Sequence, residues 1–119
     1  MDNPLIALRK EFGALARHLR DLTSRDVTAT GWTSVFLDVR YKPSRTIWAT
    51  KVEATVAGLP VSLNVSSTPL EDLLSQIGKT QIGEPFYGFV LTLSAEGEVD
   101  VQLNYDPKCF SDLRFWTID

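Results

Sequence analysis

Apolar and polar positions alternate along two facing arms between Phe86 and Pro107. Tyr87, Phe89, Leu91 and Leu93 alternate on the first arm, and Val99, Val101, Leu103 and Tyr105 on the second. Successive strand side chains point to opposite faces, so each set lines one face of a sheet. Ala95-Glu96-Gly97 joins the arms, and Gly97 can take the positive φ that a short bulged turn needs. The intervening positions of the second arm are Glu98, Asp100, Gln102 and Asn104. That strand therefore has an apolar side and an acidic-polar side.

A second period runs through the N-terminal segment. Leu5, Leu8, Phe12, Leu15, Leu19 and Leu22 are spaced by 3, 4, 3, 4 and 3 residues. This is one apolar stripe on a helix, with Asn3 as its N-cap, Pro4 at its first position and its end near Thr23 to Arg25. Arg9, Lys10, Arg17 and Arg20 fall mostly off the stripe. Beyond the Thr28 to Gly31 break, Val35, Leu37, Val39 and Tyr41 alternate with Ser34, Phe36, Asp38 and Arg40 as a strand. Lys42-Pro43-Ser44-Arg45 reads as a turn. The next strand runs from Thr46 to Val56, with Trp48, Thr50, Val52, Ala54 and Val56 on one face. Ala57-Gly58 is a second turn. Leu59, Val61, Leu63 and Val65 then alternate with Pro60, Ser62 and Asn64, and Pro60 points to an edge or strand-entry position. Thr68-Pro69-Leu70-Glu71 is a capping box, Leu70, Leu73, Leu74 and Ile77 form a second helical stripe, and Gly78 is a left-handed stop. The tail from Asp106 carries Phe110, Leu113, Phe115 and Trp116 as apolar anchors.

The order is α-βββ-α-ββ. Short connections favour antiparallel neighbours, so the expected fold is α+β: a five-stranded, largely antiparallel sheet with the N-terminal helix packed on one face. Residues 1–119 read as a single domain. The apolar fraction of 44% and charged fraction of 23% are those of a soluble globular protein. One cysteine, Cys109, excludes a disulfide within the chain and a multi-cysteine metal site. It fits a reducing cytoplasm, though a small periplasmic protein could also lack disulfides. No apolar run reaches the roughly 18 residues of a membrane span, and the opening MDNPLIALRKEFG does not read as a signal peptide. The net charge of −3 is unevenly spread: nine Lys/Arg and five Asp/Glu in residues 1–51, three and ten in residues 52–119. Such a split suits either a charged docking face at each end or ordinary solvated faces.

The residue patterns offer little chemistry, and no catalytic set is assigned. His18, the single histidine, lies beside the first helical stripe between Arg17 and Leu19. It has no nucleophile-elbow serine and no neighbouring cysteine. Lys108 could lower the pKa of Cys109, although a lone loop cysteine is more often incidental or partly buried. Glu96, Glu98, Asp100, Asp106 and Asp112 are the densest acids, but calcium-loop spacing is missing. No metal or cofactor is expected. Gly78-Lys79-Thr80 lacks the upstream glycine of a phosphate loop and follows a helix, not a strand. Arg40, Tyr41, Lys42, Arg45 and Trp48 interleave cations with aromatics, but the acidic pI of about 5.1 argues against nucleic acid.

The pattern Tyr87-Gly88, Leu91, Leu93, Gly97, Val99, Val101, Tyr105-Asp106-Pro107 resembles the closing hairpin of small immunity proteins from bacterial polymorphic-toxin and contact-dependent inhibition systems, especially the YezG-like group. The order of an N-terminal helix, a Trp32-led strand, a meander and a Leu-rich helix is similar too. The chain departs from that group in its short second helix and its Trp-bearing tail. The resemblance implies a non-enzymatic, cytoplasmic protein that neutralises a cognate toxin C-terminal domain by stoichiometric occlusion. Many such toxins are nucleases with basic clefts. Glu96, Glu98, Asp100, Asp106 and Asp112 would then steer and cover the toxin, with Trp116, Phe115 and Tyr105 as anchors. The same aromatics could instead close the core. A self-associating adaptor module, or a small-molecule domain with a pocket between helix and sheet, remains the alternative. The sequence leaves the oligomeric state open.

Overall fold

The computed structural model describes residues 4–44, 46–63, 68–79 and 85–111. The elements are α1 (Pro4–Ala7), α2 (Arg9–Arg25), β1 (Trp32–Tyr41), β2 (Ile47–Val56), β3 (Leu59–Leu63), α3 (Thr68–Lys79), β4 (Gly88–Ser94) and β5 (Val99–Asn104). Short 3₁₀ turns occupy Val27–Ala29 and Cys109–Ser111. The five strands form one antiparallel sheet in the order β3-β2-β1-β4-β5, the α+β architecture expected from the sequence.

β1 is the centre of the sheet. Its Val35, Leu37, Val39 and Tyr41 are buried. In register, Val35 lies between Ala54 and Leu93, Leu37 between Val52 and Leu91, and Val39 between Thr50 and Phe89. One face of three strands thus forms a single apolar floor, as the period of two requires. Onto it pack Phe12, Leu15, Ala16 and Leu19 of α2, with Leu70, Leu74 and Ile77 of α3. Phe12 meets Phe89 edge-to-face at 5.2 Å between ring centroids, a favourable arrangement of the two ring quadrupoles. The buried Tyr41 hydroxyl donates to the Leu74 carbonyl at 2.6 Å, tying β1 to α3. Burial in this apolar site pushes the Tyr41 phenol far above its ordinary range. At the end of α2 the buried Thr23 hydroxyl donates to Leu19 O at 2.7 Å, so the polar group is satisfied where it is desolvated.

Three local expectations are corrected. The N-terminal stripe is not one helix. The chain breaks at Leu8 (φ −102°, ψ 18°), which stays buried while Leu5 and Ile6 are 37% and 70% exposed. Asn3, the expected N-cap, lies outside the described residues. Gly78 is not a left-handed stop: it is a buried residue inside the last turn of α3, which runs on to Lys79. Glycine permits that stop without imposing it. In β2 the alternation expected through Trp48 is interrupted. Arg40 pairs with Ala49 but Tyr41 pairs with Ile47, so a bulge sets Ile47 opposite Tyr41. The side chain of Trp48 lies outside the described residues.

The turns follow their sequence signals. Val56 pairs with Leu59 across the two-residue loop Ala57-Gly58, with φ of 53° and 79°. Positive φ at both positions is the hairpin turn whose twist matches the strands. Ala57 holds it at the steric cost of a left-handed L-residue. Pro60 lies in β3, the border strand, opposite Thr55.

Two outcomes are expected. Leu15→Asp places a charge at a fully buried position and should abolish cooperative unfolding by circular dichroism, at a cost of several kcal/mol. Ala57→Asn should raise stability by roughly 0.5–1 kcal/mol in urea titration, because Asn tolerates the left-handed region better than Ala.

Candidate interaction surface

The hairpin of β4 and β5 is closed by three hydrogen bonds. Ser94 N–H donates to Glu98 O at 2.9 Å, Gly97 N–H to Ser94 O at 3.0 Å, and Glu98 N–H to Ser94 Oγ at 3.0 Å. Gly97 has the expected positive φ, 100°. Ala95 N–H donates to Thr33 O at 2.9 Å, which pins the turn to the start of β1. Glu96, Glu98, Asp100 and Gln102 are exposed. Asp100 stands opposite Thr92 and Gln102 opposite Val90, on the sheet face away from α2 and α3. The acids are therefore held in register by a rigid hairpin, as their spacing predicted.

Their electrostatic setting is not purely negative. The Arg20 guanidinium reaches the turn, with Nη2 at 3.5 Å from Ala95 O. A cation of α2 thus sits beside the loop that carries Glu96. That leaves Glu98 and Asp100, on the far face, as the acids best placed to project a field.

The remaining candidates separate from these. Asp106 is exposed, but its Oδ1 accepts from Lys108 N–H at 2.9 Å and its carbonyl from Cys109 N–H at 3.1 Å. It organises the turn into the 3₁₀ segment and lies past the far end of β5 from Glu98. Asp112, Phe115 and Trp116 lie outside the described residues. Tyr105 is 43% exposed and does not close the core. Among the described residues, no group of three or more His, Cys, Asp or Glu side chains is gathered to hold a metal ion.

The structure reveals a polar cluster that the sequence reading did not assemble. Arg40 makes a two-pronged ion pair with Asp38, Nε to Oδ1 at 2.8 Å and Nη2 to Oδ2 at 3.1 Å. Its Nη1 donates to Cys109 O at 3.1 Å. The carboxylate holds the Arg40 proton more firmly than usual against the opposing effect of burial. Two opposite charges at i and i+2 of one strand face were the available signal. Within the run of cations and aromatics weighed for nucleic acid, Arg40 is bound to Asp38 and Tyr41 is buried. Arg45 lies outside the described residues.

Gly88 lets the cluster close. A Cβ there would fall 2.7 Å from Val39 O and 3.3 Å from Cys109 Sγ, so any larger residue would force the strands or the 3₁₀ segment apart. Cys109 is buried, and its thiol donates to Tyr87 O at 3.2 Å. Burial pushes that thiol's pKa up, and the nearby Arg40 only partly offsets it. The activation by Lys108 considered from sequence is therefore not what sets this group. His18 is half-buried on α2.

On the other side of the sheet, an open groove of about 420 Å³ runs between the helices and β5, lined by Leu5, Arg9, Phe12, Gly13, Val99 and Val101 with Asp100. It lies between helix and sheet, where the alternative small-molecule reading puts a pocket. Neither Thr50 nor Asp38, polar residues of the central strands, lines it. No helix among the described residues is long and apolar enough to cross a membrane. The chain matches no family model and no curated protein.

The Cys109 environment gives a direct test. At pH 8 the native thiol should react with a disulfide reagent at least about tenfold more slowly than in the unfolded chain, because the thiolate is the nucleophile. Gly88→Ala should speed that reaction.

Proposed function

We propose that this protein binds and neutralises a bacterial toxin C-terminal domain by stoichiometric occlusion, acting in the cytoplasm and without catalysis of its own. The observation that carries the reading is the hairpin. Glu98 and Asp100 project from a strand whose register is fixed by β4 and whose turn is tied to β1. Such a surface is organised before a partner arrives, so little conformational freedom is lost on binding. The likeness of Tyr87-Gly88 to Tyr105-Asp106-Pro107 to immunity-protein hairpins supplies the class of partner. A nuclease with a basic cleft is the toxin chemistry that an acidic strand face complements.

Electrostatic complementarity acts chiefly on encounter rate and partner choice. The β5 face would steer the toxin, and apolar surface beside it would hold it. Gly88 has a structural part in this reading, since it allows the Arg40–Asp38 pair and Cys109 to fasten the hairpin's base.

The experiment uses the C-terminal domain encoded by the adjacent upstream gene as the partner. The wild-type chain should form a stable one-to-one complex and rescue cells that express that domain. Glu98→Lys combined with Asp100→Lys should lower the association rate by about tenfold or more at low ionic strength, with the melting temperature unchanged, and the difference should shrink as salt is added. Equal association rates would remove this face from the reading. No complex with a folded chain would remove the toxin.

A further inference from the structure

The two borders of the sheet are built differently. β3 is a five-residue strand containing Pro60, which has no N–H to offer another chain. β5 has six residues, Val99-Asp-Val-Gln-Leu-Asn104, with no proline or lysine to discourage pairing. Ser94 and Glu98 exchange the hydrogen bond that closes the hairpin, and Asp100 and Gln102 continue that phase opposite Thr92 and Val90. Backbone groups alternate in direction along an antiparallel strand. The N–H and C=O groups of Val99, Val101 and Leu103 therefore point to the border, away from β4.

We propose that this border pairs with itself: two copies of the chain associate by laying β5 antiparallel to β5, with Val101 opposite its own counterpart. The argument is the charge pattern along the strand. In this register Asp100 faces Gln102 of the second copy, and Glu98 faces Asn104, so each acid meets an amide. Sliding the pair one step of the pleat in one direction sets Asp100 opposite Asp100. Sliding it the other way pairs Val101 with Leu103 and leaves Val99 opposite Tyr105, beyond the end of β5, with fewer backbone hydrogen bonds. Like charges directly opposed across a sheet are destabilising and a shortened ladder forfeits bonds, so both neighbouring registers are disfavoured. Odd-numbered shifts would turn the apolar residues to the wrong face. The strand thus specifies one register for its own copy. About six backbone hydrogen bonds would form across the two-fold axis.

The side facing the helices agrees. Val99 is 48% exposed and would stand opposite Leu103 of the second copy. The groove over Val99 and Val101, with Leu5 at its rim, lies along the same border. The two-fold axis through Val101 would bring the two grooves side by side and bury apolar surface that one copy leaves in water. Glu98 and Asp100 project perpendicular to the sheet, so their outer face remains open in the pair. The inference is independent of the toxin reading.

Sedimentation equilibrium of the full chain, from micromolar to submillimolar concentration, tests it. The mass should rise from 13.3 kDa towards twice that value. Val99→Lys introduces an inward charge at a half-exposed border position and should weaken the dimer by about tenfold or more while the melting transition persists. Mixing Asp100→Cys with Gln102→Cys should give an intermolecular disulfide under mild oxidation, and neither variant alone should. A chain that stays at the mass of one copy throughout would overturn the proposal. So would a folded Val99→Lys variant that dimerises unchanged, or crosslinking of Asp100→Cys alone at the mixed rate.

Discussion

The buried face of β1 is the constraint on which the rest of this structure depends. Val35, Leu37, Val39 and Tyr41 are at most 1% exposed, and full burial of such side chains stabilises by roughly 1.5–3 kcal/mol each. A slip of one residue would turn them outward and bring Asp38 and Arg40 into the core. That alternative would place two charges in an apolar site, so the register of β1 is strongly fixed. β2 and β4 take their own registers from it, α2 and α3 pack on the floor it organises, and Tyr41 secures α3 through the Leu74 carbonyl. The opposite face of the same strand then uses Asp38 and Arg40 to hold the segment around Cys109.

Distance from β1 sets the character of each border. Close to the centre, strands are sandwiched between neighbours and covered by helices. At β5 the helical cover thins: Val101 and Leu103 are only half-buried and Val99 is exposed. The groove beside Phe12 and the exposed acids of the hairpin meet at this border. The toxin proposal uses the outward side chains of β5, while the dimer proposal uses its backbone edge. A strand has these two directions at right angles, so both can operate together.

Most of the fold was legible because its elements carry strong periods. The strand alternation of residues 34–41, the helical stripe from Leu8 to Leu19 and the signals at Gly97, Ala57-Gly58 and Pro60 all correspond to observed structure. What escaped were features that depend on neighbours distant in sequence. The break at Leu8 has no Gly or Pro to announce it. The bulge opposite Tyr41 is a property of a strand pair, and Gly78 reads the same whether it stops a helix or lies in its last turn. The acids of the hairpin were placed correctly, since period and turn chemistry fix Glu96, Glu98 and Asp100. The bonds of Asp106 to Lys108 and Cys109 were not legible, because they belong to a turn that composition does not reveal. The Arg40–Asp38 pair was visible as two charges on one face, but its meaning required Cys109, 69 residues away in sequence.

Residue-resolved amide hydrogen exchange on the dilute single copy tests this hierarchy most directly. Leu37, Asp38 and Val39 amides should exchange only with global unfolding, whereas Val99, Val101 and Leu103 amides should exchange orders of magnitude faster, alternating with slower Asp100 and Gln102. Equal protection along β5 and β1 in the single copy, or early exchange at Leu37 and Val39, would contradict a fold anchored on β1 with an open border at β5.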